Sequence, residues 1–103
     1  MSWYIEGADY HIPAGETVST RVVVPAEARQ ITVYAPRALT GRVSVGVLER
    51  VMEDLAMLRP AIALAAGECT SFPQSGYVQV GVVSSVVETD ERSGRITWTR
   101  EGA

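Results

Sequence analysis

At 103 residues the chain suits one domain whose core buries roughly two-thirds of the surface its unfolded state exposes. Apolar residues make up 47% of it, too many for a disordered chain. The net charge of −3, with nine scattered Arg and no Lys, provides no basic surface for nucleic acid.

The first twelve residues hold Trp3, Tyr4 and Tyr10 and read as an N-terminal arm or a first strand. They lack the positive start and apolar run of a secretory signal. After the turn-like Pro13-Ala14-Gly15-Glu16, residues 17–24 alternate as a strand, closed by Pro25, which cannot donate to a ladder. That alternation predicts Val18, Thr20, Val22 and Val24 on one face and Ser19, Arg21 and Val23 on the other. Residues 30–34 form a second strand with Ile31 and Val33 inward. Residues 42–48 form a third, with Val43, Val45 and Val47 alternating against polar or small neighbours.

Residues 49–59 carry good helix formers and fit a short helix, but a turn at Glu53-Asp54 followed by a strand over 55–58 suits the surrounding pattern better. Short strands are expected over 61–64 and, after a Gly67-Glu68 turn, over 69–72. Pro73-Gln74-Ser75-Gly76 is a turn, and residues 77–83 alternate again, with Val78, Val80 and Val82 on one face. Val86-Val87 and residues 96–99 flank a polar, Gly-ended stretch over 89–94 that reads as a hairpin loop, so these last two strands are expected to pair. Residues 100–103 read as a frayed tail. Eight or nine short strands at close turn spacing predict an all-β fold: a single antiparallel β-sandwich of about eight strands, jelly-roll or Ig-like, spanning 1–103.

No catalytic or cofactor constellation emerges. His11 is the sole histidine and lies in a turn-rich leader, where a solvated ring is expected, and no nucleophile motif surrounds Cys69 or any Ser. One Cys and one His cannot make a structural zinc site. Glu88, Asp90 and Glu91, or Glu53 and Asp54, offer oxygen ligands without calcium-loop spacing and read as solvated loop acids. Gly41 and Gly46 flank a strand and do not open a helix, so no phosphate cradle forms. Cys69 cannot make an internal disulfide, which favours a reducing compartment, and its Ala-rich context predicts a small buried hydrophobe. The longest apolar run, near residues 60–67, falls short of the ~20 residues that span a bilayer as a helix.

The aromatics point elsewhere. Trp and Tyr are favoured in buried interface centres, which makes Trp3, Tyr4 and Tyr10 the candidate partner-binding residues, with core packing as the competing role. Trp98, alternating with Ile96, is expected in the core. An open sandwich leaves sheet edges to be covered, and no Lys guards one here, so a second copy or another protein is expected to cover an edge.

Ile12-Pro13-Ala14-Gly15-Glu16-Thr17-Val18-Ser19, leading into a Val-rich strand, resembles the opening of small structural proteins of tailed bacteriophages. Leu64-Ala65-Ala66-Gly67-Glu68 followed by Gly76-Tyr77-Val78-Gln79-Val80 is similar to the turn-then-strand phrase of the same family. The likeness covers roughly residues 12–99, with Met52, Leu55 and Leu58 standing where such proteins usually carry Trp and Phe. It implies an accessory virion protein, a capsid decoration or head-fibre component. Such a protein is non-enzymatic, present in many copies, assembled in a bacterial host cytoplasm, and partnered by capsid or tail proteins and by itself, not by nucleic acid or membrane. The alternative is a ligand-binding sandwich such as a carbohydrate module, with Trp3, Tyr4, Tyr34 or Tyr77 as a stacking platform.

Overall fold

The computed structural model describes residues 2–49, 55–58 and 61–102. Nine strands run in order: β1 Ser2–Ile12, β2 Val22–Val23, β3 Gln30–Tyr34, β4 Val43–Glu49, β5 Ala56–Met57, β6 Ala63–Leu64, β7 Cys69–Pro73, β8 Tyr77–Ser84 and β9 Arg92–Gly102. One sheet has the order β1-β9-β3-β7; the other has β2-β8-β4-β5, with β6 also on β4. All pairings are antiparallel. The pairs nest, first strand with last, second with next to last, β3 with β7, and β4 with the short β5 and β6. That nesting is the jelly-roll arrangement of the β-sandwich.

The core follows from period-2 alternation. Ile31 and Val33 on β3, Val43, Val45 and Val47 on β4, and Val80 and Val82 on β8 are all buried, as their spacing predicts. They meet Tyr10 and Ile12 from β1, Ile96 and Trp98 from β9, and Phe72 from β7 in one cluster. Each such side chain contributes about 1.5–3 kcal/mol relative to an exposed position. Leu58, whose amide donates to the Val45 carbonyl, and Leu64 close one side. The strand reading of 55–58 therefore holds, in the shorter form of β5, while the Glu53-Asp54 turn lies outside the described residues.

Gly46 and Gly81 face each other across β4 and β8. A Cβ on Gly46 would lie 3.3 Å from the Leu55 Cβ, and one on Gly81 would lie 3.3 Å from the Leu55 Cδ1 and 3.0 Å from the Ser19 Oγ. The paired glycines open the outer face of this sheet so that Leu55 and the Ser19 segment can lie on it.

Three expectations are corrected. Residues 17–24 are not one continuous strand. Val18 faces Val83 and Val22 faces Val80, so one side carries an extra residue. Such a bulge reverses the alternation. Ser19 is buried while Val18 is exposed, and Val22 and Val24 return to the core. Hydrogen bonds hold the switch. The Ser19 hydroxyl accepts from the Val82 amide at 2.9 Å and donates to the Thr20 carbonyl at 2.7 Å, while the Thr20 amide turns to the His11 carbonyl of the other sheet at 2.8 Å.

Val86-Val87 does not pair with residues 96–99. Both valines are exposed in a connection that crosses between the sheets, and β9 pairs instead with β1 and β3. Residues 100–102 are not frayed: they continue β9 against Ser2–Tyr4, an unbroken register from Ser2↔Gly102 to Ile12↔Arg92.

Glu88 binds one end of the sandwich together. Its carboxylate, sealed from solvent, accepts from the Thr40 amide at 3.0 Å, the Gly41 amide at 3.4 Å, the Ser84 hydroxyl at 3.4 Å and the Arg92 Nε at 2.9 Å. Its carbonyl accepts from the Gly15 amide at 2.8 Å. Three connections thus converge on one residue. Burial alone would push its carboxyl pKa up; the Thr40 amide, the Arg92 guanidinium and the Gly41 amide outweigh that and hold it at about 2.

Candidate interaction surface

β1 and β9 outrun the rest of their sheet. The last β9 residue in register with β3 is Trp98, opposite Ile31. Beyond it, the strand partners of residues 99–102 are residues 2–5 of β1. Arg29 steadies the base of this ribbon, its amide donating to the Thr99 carbonyl at 2.9 Å and its guanidinium lying 3.7 Å from Glu101. Glu6 and Arg100 form a 2.9 Å ion pair across the strands.

Three consecutive large side chains stand exposed on the ribbon: Trp3 at 58%, Tyr4 at 47% and Ile5 at 76%. Alternation puts Trp3 and Ile5 on the outer face of the sheet and Tyr4 on the other, where the Tyr4 ring lies over Gly102. Ile5 follows the two expected aromatics directly; its β-branched side chain beside them was the sequence signal for it. Tyr10 is not part of this surface. It shares its face with Ile12, is fully buried, and its hydroxyl donates to the Tyr34 carbonyl at 2.7 Å. Burial pushes its phenol pKa up.

The outer edge of β1 is open. The His11 amide donates to the Thr20 hydroxyl at 2.9 Å and its carbonyl accepts from the Thr20 amide at 2.8 Å, so His11 directs its backbone groups away from β9. In an antiparallel pair this orientation alternates, so Trp3, Ile5, Gly7 and Asp9 turn theirs to the same side. Among the described residues, no strand pairs with β1 there.

His11 is exposed, with its Nδ1 2.8 Å from the Ser93 hydroxyl and 3.8 Å from Glu91. Both neighbours approach the same nitrogen, whereas a proton relay needs a nucleophile and a carboxylate on opposite ring nitrogens. Glu88 is committed to its internal partners, and among the described residues no group of three or more His, Cys, Asp or Glu gathers to hold a metal ion. Glu53 and Asp54 lie outside the described residues.

Cys69 is exposed, not buried. Phe72 faces the core, which sends Thr70 inward and Cys69 outward.

An open groove of about 900 Å³ lies beside Tyr34, Arg37, Arg92 and Arg95. Arg92 is spent on Glu88 and Arg95 on Asp9 at 3.0 Å. The aromatics considered as a stacking platform are dispersed: Trp3 lies opposite Glu101, Tyr34 opposite Arg95, and Tyr77 is half-buried edge-on against Phe72. No helix among the described residues is long and apolar enough to cross a membrane.

No family model matches the chain, and no curated protein matches it. Solved structures do. A chain from Bacillus endospore appendages, described as forming a family of disulfide-linked pili, superposes with a TM-score of 0.56 at 13% identity, covering 99% of this chain and 88% of that one. The SPBc2 prophage-derived protein YomS superposes with a TM-score of 0.58 at 15% identity, covering 93% of this chain and 95% of that one. Its structural neighbours thus include a pilus protein and a prophage-derived protein, and at these identities what the chain shares with them is the β-sandwich fold.

Proposed function

We propose that this chain is a non-enzymatic structural protein of a bacteriophage particle, a capsid decoration or other accessory head or tail component, that acts by assembling with virion proteins and with itself. The observation that carries this reading is the projecting β1–β9 ribbon. It presents Trp3, Tyr4 and Ile5 on a strand with an open edge, an arrangement that exposes apolar surface at a cost unless a partner covers it. A prophage-derived neighbour and a pilus neighbour with nearly whole-chain overlap support an assembly role on this fold. Disulfide linkage as in the pilus neighbour is not carried over: one cysteine in 103 residues can join copies in pairs but cannot chain them.

The test is co-sedimentation of the purified chain with particles of the source phage, alongside mass spectrometry of those particles. The chain is expected in the particles at high copy, with binding weakened by Trp3→Ala. Absence from the particles together with failure to co-sediment would refute the reading.

A further inference from the structure

The β1–β9 ribbon contains three glycines, and two are covered by an aromatic ring of the same chain. The Tyr10 ring fills the space over Gly94, and the Tyr4 ring that over Gly102. Gly7 is different: a Cβ there would lie 2.7 Å from the Ile96 carbonyl oxygen and 2.9 Å from the Thr97 Cγ2, so its nearest neighbours are backbone and a methyl and not a ring. Gly7 also sits on the open edge, two residues from Ile5.

We propose that β1 pairs antiparallel with β1 of a second copy about a two-fold axis through Ile5, so that Trp3 of each copy lies over Gly7 of the other. The proposal rests on the assembly reading above and names a second copy as the first partner. An antiparallel self-pairing must match residues whose edge groups point outward, which limits it to a few registers. Centring on Gly7 would set Trp3 against His11, whose edge groups are already taken by Thr20. Centring on Glu6 would set two Glu6 carboxylates directly opposite each other, a destabilising like-charge pair. Centring on Tyr4 pairs Trp3 with Ile5 and leaves the edge groups of Gly7 without a partner among the described residues, about two hydrogen bonds fewer on that strand.

Centring on Ile5 avoids all three faults. Ile5 meets Ile5, Trp3 meets Gly7 on the outer face, and Tyr4 meets Glu6 on the other face. About six backbone hydrogen bonds form, joining two four-stranded sheets into one. Aromatic cover of a strand glycine is a known way to pin register.

Gel filtration with light scattering is expected to report a dimer for the wild-type chain and a monomer for Ile5→Lys, which sets two charges against each other on the axis. Since Ile5 is exposed in the single chain, the lysine variant should keep its β circular dichroism and its unfolding midpoint as a monomer. Register is read by cysteine in a Cys69→Ser background. Under mild oxidation Ile5→Cys should link covalently, since facing Cα atoms would lie roughly 5.5 Å apart, whereas the two Trp3→Cys thiols would stand roughly 13 Å apart and stay free. A monomeric wild type at high concentration, a dimer indifferent to Ile5→Lys, or linkage through Trp3→Cys in place of Ile5→Cys would overturn the pairing. A monomer that still co-sediments with particles overturns this pairing alone and leaves the virion reading standing. A dimer with the predicted linkage that ignores particles keeps the pairing and removes the virion reading.

Discussion

Replacing Glu88 by Gln tests how the end of the sandwich is held. The wild-type carboxylate collects two amides, a hydroxyl and the Arg92 guanidinium, and its pKa falls from an ordinary 4.5 to about 2. A group with a depressed folded-state pKa contributes stability that is fully present above the unfolded value. It is lost as pH falls through the folded value, here between about 4.5 and about 2. A drop of that size corresponds to about 3 kcal/mol. The polar groups around Glu88 respond with an effective dielectric well above that of dry protein, which lowers the realised value to about 2–3 kcal/mol. Glutamine keeps one carbonyl acceptor but turns an NH₂ toward groups that donate, and it leaves Arg92, whose side chain is 19% exposed, without its charge partner. With a urea m-value of about 1.5 kcal/mol/M, Glu88→Gln should lower the unfolding midpoint at pH 7 by about 1.3–2 M. The gap between wild type and variant should close as pH is taken from 5 toward 2. A midpoint shift under about 0.3 M, or a gap that stays constant down to pH 2.5, would refute the account, since linkage requires both.

Other outcomes follow from single contacts. Tyr10→Phe removes the hydrogen bond to the Tyr34 carbonyl while keeping the ring over Gly94, and should cost about 1 kcal/mol by urea denaturation. Gly94→Ala drives a methyl into the Tyr10 ring and the Tyr34 carbonyl, and should cost more than Tyr10→Phe, about 2–3 kcal/mol, in the same assay. Cys69 should react with a thiol reagent in the native state at a rate close to that of the unfolded chain; reaction only on denaturation would contradict its exposed place on β7.

The sequence by itself determined the strands whose alternation is local and unbroken. The runs at Ile31 and Val33, at Val43 to Val47, and at Val80 and Val82 became core faces because a period of two sends alternate residues to one side, whatever lies there. The same rule, applied to Tyr10 with Ile12 and to Cys69 with Phe72, would have placed the tyrosine inside and the thiol outside. Trp3 and Tyr4 were legible as partner-binding candidates with core packing as the alternative, and the structure finds both exposed with Ile5 beside them.

Only the tertiary structure decided features that depend on chain segments far apart. The switch at Ser19 arises because two sheets compete for neighbouring amides, and a one-residue bulge leaves no mark on composition. Glu88 read as a solvated loop acid, because nothing local shows that the Thr40 and Gly15 connections will close over it. The first and last strands pair across nearly the whole chain, so the ribbon and its open edge exist only once the jelly roll has brought the two ends together. Such non-local pairing depends on loop closure and burial and not on propensity, which is why the sequence alone could not supply it.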